Sequence, residues 1–186
     1  MADPRRLFRL LLILPIVASS ALGAAAQEEA LPRGSETATA GSEAPLPGRS
    51  GLPLPRFVSL RAPEANLRTG PGVRYPIEWV YSRRGLPLEI VDEFDTWRRV
   101  RDWQGSEGWI HQSMLSGERN ALIVGRERLM RRAPETDAPG VARLEAGVVA
   151  RLEVCNGSWC EVDAGDYEGW LRREEIFGVY PDETLR

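Results

Sequence analysis

Histidine and cysteine are too scarce in this sequence for most metal sites. The chain of 186 residues contains one histidine, His111, and two cysteines, Cys155 and Cys160. Structural zinc sites are usually built from four histidine or cysteine ligands, and cysteines five positions apart do not match the Cys-x-x-Cys spacing. The sequence therefore predicts no metal ion and no other cofactor.

Lysine is absent altogether, because every basic side chain is an arginine. The Gly70-Pro71-Gly72 loop thus lacks the lysine of a phosphate-binding loop, and we interpret it as a turn. A Cys-His hydrolase would need a catalytic scaffold of roughly 100 residues beyond a targeting module, and no such stretch remains. Paired carboxylates such as Asp92 and Glu93 could hydrolyse glycosides, but acidic side chains are typically solvated. We therefore predict that the protein is not an enzyme.

No apolar run is long enough to cross a bilayer comfortably. The stretch Leu10–Ala18 follows three arginines and precedes small residues that end in Ala24-Ala25-Ala26. A spanning helix needs about 20 apolar residues, whereas a charged start, a short apolar core and an A-x-A site are typical of a signal peptide. We predict that residues 1–26 are a signal peptide cut after Ala26, and that the protein is periplasmic or secreted. An uncleaved N-terminal anchor is the alternative.

The mature chain would be mildly acidic. The full sequence has a net charge of −3, and removal of residues 1–26 takes away three arginines and one aspartate, which leaves about −5. Binding to nucleic-acid phosphates or to anionic lipids requires a concentrated basic surface. We therefore expect no nucleic-acid partner and, after signal cleavage, no insertion into a membrane.

The two cysteines flank a turn signal. The segment from Cys155 to Cys160 contains Asn156-Gly157, a dipeptide that favours a tight hairpin turn and so places the flanking residues on facing strand positions. Because exported proteins retain their disulfides, we predict that Cys155 and Cys160 form one. Closing so short a loop removes little chain entropy, so the bond should contribute only about 2 kcal/mol.

Residues 27–56 contain alanine, glutamate, proline, glycine, serine and threonine, with almost no large apolar side chain. A segment of this composition buries too little surface to offset the entropy lost on ordering. We therefore expect residues 27–56 to be a disordered linker that acts as a tether.

The rest of the chain contains an internal repeat. A shift of about 62 positions aligns glycines, tryptophans and aliphatic residues in the same order. This indicates two copies of one unit, at residues 57–116 and 117–180, followed by a short tail at residues 181–186. The clearest matches pair Pro71 with Pro134, Gly85 with Gly147, Trp97 with Trp159, Val100 with Val162 and Trp109 with Trp170.

Each unit is predicted to consist of short strands. In the first unit Leu86, Leu88 and Ile90 occupy alternate positions, as expected of a strand with one face in a core. No segment maintains helical periodicity over three turns. Several strands in so short a unit are most stable as a closed barrel, because closure leaves no unpaired edge. The predicted fold class is all-β, with two small β-barrels in tandem.

The first unit resembles a known family. The run Asn66–Pro76 and the segments Trp97–Val100 and Gly108–Ile110 resemble, in order and spacing, the motifs of bacterial SH3-like (SH3b) domains. The second unit is divergent, since it has Arg132-Ala133-Pro134 in place of Gly-Pro-Gly and Ala138 in place of the tyrosine. Its cysteine-flanked hairpin resembles exported SH3-like domains of proteobacteria. The resemblance implies two tandem SH3-like barrels.

The resemblance also implies a function. SH3b domains often accompany cell-wall hydrolases as modules that target peptidoglycan, and others mediate contacts between envelope proteins. We therefore expect a non-catalytic, monomeric binding module whose partner is cell-wall glycan or peptide, or an envelope protein. The alternative to recognition of the wall is a periplasmic adaptor that binds only proteins.

Aromatic side chains that do not recur are candidates for ligand contact, because a purely structural role predicts that an aromatic residue repeats in both units. The aromatic residues that are confined to the first unit or change in the second include Tyr75, Trp79, Tyr81 and Trp103. Exposed rings of this kind can stack on sugars or hold an extended peptide. We predict a ligand-binding surface on the first barrel formed by Arg68, Tyr75, Trp79 and Trp103.

Overall fold

The structure is a computed structural model that describes residues 46–186. The predicted signal peptide and residues 27–45 of the predicted linker lie outside the described residues. In residues 46–186 the regular structure consists of β-strands and two short 3-10 helices, Gln112–Met114 and Arg173–Glu175. No helix in this part of the chain has the length and hydropathy required to span a membrane. The prediction of an all-β fold is confirmed.

Each repeat forms a seven-stranded antiparallel sheet. The first barrel contains β3 (Arg56–Leu60), β4 (Ala65–Arg68), β5 (Ile77–Tyr81), β6 (Pro87–Phe94), β7 (Trp97–Arg101), β8 (Glu107–His111) and β9 (Leu115–Ser116). The second barrel contains β10 (Asn120–Ile123), β11 (Arg128–Arg131), β12 (Gly140–Leu144), β13 (Val149–Asn156), β14 (Trp159–Asp163), β15 (Glu168–Arg172) and β16 (Ile176–Phe177). A hairpin of β1 (Leu46–Pro47) and β2 (Pro53–Leu54) precedes both.

The two sheets have the same topology. Neighbouring strands follow the order β5-β4-β8-β7-β6-β3-β9 in the first barrel and β12-β11-β15-β14-β13-β10-β16 in the second. The irregularities recur as well, because the register shifts between Leu67 and Arg68 in β4 and between Met130 and Arg131 in β11. The shared register therefore shows which residues of the two barrels are equivalent.

The alternating apolar positions build the two cores. Leu88, Ile90 and Val100 are almost fully buried in the first barrel, and Leu152 and Val162 are buried at the equivalent positions of the second. Each buried aliphatic side chain contributes roughly 1.5–3 kcal/mol relative to exposure. The alternation thus predicts the interior positions of β6 and of the first half of β13, but a register shift after Leu152 buries Cys155 and leaves Val154 only partly buried.

One glycine in each barrel allows two strands to approach closely. A Cβ added at Gly108 in β8 would lie 2.6 Å from the Leu67 side chain, and one added at Gly169 in β15 would lie 2.6 Å from the Arg131 carbonyl oxygen. Only a residue without a side chain fits at these crossings. This contact explains why the Gly-Trp pair recurs in both repeats.

The two barrels pack against each other as parts of one compact unit. The ring centroid of Phe57 in β3 lies 5.2 Å from that of Phe177 and 4.6 Å from that of Tyr180. The side-chain amide of Asn120 donates a hydrogen bond of 2.9 Å to the Ser59 hydroxyl, and both residues are buried. Since a buried polar pair is satisfied only in one arrangement, these contacts define how one barrel sits on the other.

The structure differs from the expected disordered linker over residues 46–56. The β1–β2 hairpin is anchored by Ser50, whose backbone N–H and hydroxyl donate hydrogen bonds of 2.7 and 2.8 Å to the Glu93 carboxylate. Leu54 packs against the core of the first barrel. The hairpin is ordered because a distant carboxylate binds it, and the composition of the segment gives no sign of that partner.

The C-terminal tail is also attached to its barrel. Leu185 and Cys155 exchange two backbone hydrogen bonds of 3.1 and 3.2 Å. The Arg119 guanidinium binds the Glu183 carboxylate, with nitrogen–oxygen distances of 2.5 and 2.9 Å. Residues 181–186 therefore cover the hairpin that contains the two cysteines.

Candidate binding surface

Arg68 shapes the loop that follows β4. Its guanidinium donates hydrogen bonds to the carbonyl oxygens of Val73 and Tyr75 at 3.1 and 2.8 Å. The equivalent Arg131 donates in the same way to the carbonyl oxygen of Ala138 at 2.9 Å. Because this contact recurs in the barrel that lacks the tyrosine, it is a scaffold contact. Arg68 holds in place the loop that carries Tyr75.

The Tyr75 ring lies against the backbone of this loop. A Cβ added at Gly70 would come within 2.5 Å of the ring, and the Arg74 guanidinium lies 5.4 Å from the ring centroid. Tyr75 is half-buried, whereas the equivalent Ala138 is buried. The first barrel thus presents a fixed, partly exposed ring at a position where the second has only a methyl group.

Trp79 and Trp103 are both exposed on the first barrel. Trp79 in β5 is 60% exposed, and Trp103 in the turn after β7 is 37% exposed. The Tyr81 hydroxyl, two residues after Trp79, donates a hydrogen bond of 2.9 Å to the carboxylate of Asp102, which precedes Trp103. This bond joins the strand of Trp79 to the turn of Trp103. The segments that carry the two rings are therefore held together by one buried hydrogen bond.

Tyr81 itself is not a surface aromatic residue, contrary to the expectation from the sequence. Its side chain is 3% exposed and belongs to the core of the first barrel. Burial raises the pKa of its hydroxyl, and the hydrogen bond to Asp102 raises that pKa further. Tyr81 therefore stays protonated and acts as a structural donor. The absence of an equivalent aromatic residue in the second barrel therefore does not distinguish a buried ring from an exposed one.

The strand of Trp79 is an edge strand whose only charged side chain is Glu78. Contrary to the expected full closure, β5 ends the order of its sheet and pairs on one side only within residues 46–186, and it exposes Ile77 and Val80 as well as Trp79. Natural edge strands are usually protected by charged side chains. The equivalent β12 follows that rule, since Arg143 forms an ion pair of 2.8 Å with Glu127. Contiguous exposed apolar side chains are typical of interaction surfaces, so this edge adds to the candidate surface.

Glu93 is not the solvated carboxylate that the sequence suggests. It is 3% exposed, and it binds Arg56 at 2.6 Å and Arg98 at 3.3 Å in addition to Ser50. Burial alone would raise the pKa of Glu93, but the hydrogen bonds from Ser50 and Arg56 outweigh it and lower the pKa to about 2. Glu93 is therefore an ionised structural group.

The residues that could serve chemistry have structural contacts. Cys155 and Cys160 form the predicted disulfide, which is confirmed. The His111 ring accepts a hydrogen bond from the backbone N–H of Ser113 and caps the 3-10 helix Gln112–Met114. Across residues 46–186, no group of three histidine, cysteine or acidic side chains is arranged to hold a metal ion.

Comparison with known families agrees with this architecture. The sequence model of a family described as bacterial SH3 domain matches residues 61–117 and 124–178, more than half of the chain. The chain belongs to the bacterial SH3 domain family. Bacterial SH3 domains are in general binding modules related to the cell wall, and they are typically extracellular or periplasmic. The predicted resemblance to a tandem bacterial SH3 protein is confirmed.

Two solved structures show a weaker likeness. NlpC2 from Trichomonas vaginalis is 12% identical with a TM-score of 0.33, and the alignment covers 69% of this chain and 50% of that protein. NlpC1 from Trichomonas vaginalis is 13% identical with a TM-score of 0.32, covering 70% and 48%. This chain thus spans about half the length of each. No curated protein matches the chain.

Proposed function

We propose that this protein is a non-catalytic, exported binding module that recognises peptidoglycan, or another component of the cell envelope, through its first barrel. Three points support the proposal: the predicted N-terminal signal peptide, membership of the bacterial SH3 family and the exposed aromatic side chains of the first barrel. The observation that carries it is the 60% exposure of Trp79 on an edge strand whose counterpart in the second barrel has no aromatic residue.

The contact surface consists of Tyr75, Trp79 and Trp103, with Arg68 holding the loop of Tyr75. Indole and phenol rings bind sugars and peptides through large apolar faces at a low cost in side-chain entropy. Trp79 has the largest exposed fraction of the three and should therefore dominate binding. The arrangement needs no nucleophile and no metal ion.

The proposal is tested by pelleting purified sacculi with the mature protein at low salt. Wild-type protein should sediment with the sacculi, and Trp79→Ala should reduce the bound fraction about tenfold, the effect of removing one dominant aromatic contact. The matched control is Tyr167→Ala, which removes a 51% exposed ring from the second barrel and should bind like wild type. Complete recovery of the wild-type protein in the supernatant would refute binding to the wall.

A second candidate function is a protein adaptor, and the free edge of β5 favours it. Ile77 and Val80 are 48% and 43% exposed beside a strand edge that has no pairing partner within residues 46–186. Such an edge could accept an extended segment of another protein. Cross-linking in cells from a photoreactive residue at position 77 should then yield one dominant protein partner. A spread of minor products, together with sedimentation on sacculi, would favour recognition of the wall.

Export is tested separately by sequencing the N-terminus of the protein recovered from outside the cytoplasm. We expect the mature chain to begin at Gln27. A chain that retains residue 1 and fractionates with membranes would instead support the uncleaved anchor.

A further inference from the structure

The second barrel carries a cleft of about 710 Å³ that shares no residue with the aromatic surface of the first barrel. One wall consists of the hairpin turn at Gly157 and Ser158 and of the residues from Arg172 to Glu174. The opposite wall is formed by the C-terminal segment at residues 179–184. Because the match to the SH3 family ends at residue 178, this second wall is an addition to the domain.

The added wall is held in position by four contacts. Glu183 binds Arg119 and also accepts a hydrogen bond of 3.1 Å from the backbone N–H of Tyr180. The Arg173 guanidinium donates to the carbonyl oxygen of Tyr180 at 2.5 Å. The backbone pairing of Leu185 with Cys155 fixes the end of the segment. The cleft is therefore preorganised, which lowers the entropic cost of binding a ligand.

The cleft contains charges of both signs that remain accessible. The side chain of Arg172 is 40% exposed and that of Glu174 is 78% exposed, and the two lie 4.0 Å apart. Asp182 is exposed and makes no hydrogen bond or ion pair within residues 46–186. Glu183, by contrast, is neutralised by Arg119. The Arg172 guanidinium also donates a hydrogen bond of 2.7 Å to the Thr136 hydroxyl, and that of Arg173, which lines the same cleft, donates to the carbonyl oxygens of Gly157 and Tyr180. The cleft thus offers the remaining N–H groups of Arg172 and two carboxylates to a ligand.

We propose that this cleft binds a short zwitterionic peptide, with its ammonium group at Asp182 and Glu174 and its carboxylate at Arg172. A purely anionic or purely cationic ligand would meet a like charge on one wall, which disfavours it. An uncharged glycan would bury these charges without a partner, which costs free energy. The volume lies within the range of ordinary sites for small molecules. This inference goes beyond the proposed function and does not use the first barrel.

The experiment is a titration of the isotopically labelled mature protein with L-alanyl-L-alanine, followed by NMR. The free dipeptide should shift the backbone amides of Gly157, Ser158 and Thr184 as it fills the cleft. N-acetyl-alanyl-alanine lacks the ammonium group and alanyl-alanine amide lacks the carboxylate, so each should bind at least about threefold more weakly, as expected for loss of one exposed ion pair.

A variant locates the ammonium site. Asp182→Asn removes a carboxylate that makes no hydrogen bond or ion pair within residues 46–186, so the fold should be retained. It should weaken the free dipeptide about threefold and leave binding of the N-acetylated dipeptide unchanged. The matched control is Asp166→Asn, an exposed carboxylate in the turn after β14, which should leave every affinity unchanged.

Any one of three results would overturn the inference. The first is that the cleft amides do not shift up to about 50 mM dipeptide, a concentration well above any dissociation constant of practical interest. The second is equal binding of the free and blocked dipeptides, and the third is an Asp182→Asn variant that binds the free dipeptide like wild type. Failure here leaves the proposed function intact, since sedimentation with sacculi is expected to depend on Trp79. Conversely, a protein that does not sediment with sacculi should still show the chemical-shift changes of the cleft amides when the dipeptide is added.

Discussion

The two barrels stabilise the same hairpin by different chemistry. In the first barrel Glu93 and Arg98 face each other across β6 and β7, and in the second Cys155 and Cys160 face each other across β13 and β14 in the same register. An ion pair of 3.3 Å, buried with its partners, occupies the place of a disulfide. Both hairpins thus have a strong cross-strand contact at the same pair of positions, an ion pair in the first barrel and a covalent bond in the second.

Each hairpin is also covered by a segment outside the repeat. The β1–β2 hairpin covers Glu93 through Ser50, and the C-terminal tail covers Cys155 through Leu185. Both segments lie outside the residues that match the SH3 family. The two ends of the described chain thus have related roles, because each completes the barrel nearest to it.

The largest expected effect follows from removing Glu93. Glu93→Ala leaves Arg56 and Arg98 without their carboxylate and releases the β1–β2 hairpin. The free energy of unfolding should fall by about 3–5 kcal/mol, as for a broken buried ion pair, measured by urea denaturation with tryptophan fluorescence. Glu127→Ala breaks an exposed pair with Arg143 and should cost less than about 1 kcal/mol. Equal losses in the two variants would contradict the structural role of Glu93.

Acid should reproduce part of that loss. Because the pKa of Glu93 is lowered in the folded state to about 2, its contribution is fully present above the ordinary carboxyl pKa and disappears as the pH falls from about 4.5 to 2. The difference in pKa corresponds to roughly 3 kcal/mol. Urea midpoints measured between pH 6 and 2 should therefore fall more steeply for wild type than for Glu93→Gln. Parallel curves would show that Glu93 does not titrate as described.

Loss of the disulfide should have a smaller effect than loss of Glu93. The double variant Cys155→Ser and Cys160→Ser should be less stable than wild type by about 2 kcal/mol, because the closed loop is short. Reduced wild-type protein should show the same urea midpoint as the variant. A loss larger than that of Glu93→Ala would reverse the comparison between the two barrels.

The smallest expected effect concerns the covering hairpin. Ser50→Ala removes the hydroxyl bond to Glu93 but keeps the backbone bond, so the cost should be about 1 kcal/mol. Hydrogen exchange of the amides at residues 48–52 should accelerate in this variant and stay unchanged in Ser82→Ala, an exposed serine beyond β5. Unchanged exchange in Ser50→Ala would mean that the backbone bond alone holds the hairpin.

Local patterns were sufficient to predict the strands, the repeat and the disulfide. The alternation of Leu88 and Ile90 indicates a strand with one buried face. Asn156-Gly157 predicts the turn that places the two cysteines on facing strand positions. Signals of this kind lie within a few residues of each other. The lack of a counterpart in the second barrel was a weaker signal, because it selected Trp79 and Trp103, which are exposed, but also Tyr81, which is buried.

Features that depend on distant partners could not be predicted. Ser50 and Glu93 are 43 positions apart, and Ser59 and Asn120 are 61 positions apart, so no local pattern reports their contacts. For the same reason the burial of Tyr81 and the bonds of Arg68 to loop carbonyls were missed. A side chain on an edge strand looks the same in the sequence whether its ring turns inward or outward.

The sequence by itself determined that the chain forms two copies of one all-β unit, because strand period, turn residues and the crossing glycines are local requirements of the backbone. Tertiary structure alone decided which charges are buried, how the barrels pack and where the ends of the chain attach. Those outcomes depend on burial and on hydrogen-bond partners brought together from distant positions, and they exist only once the chain has folded.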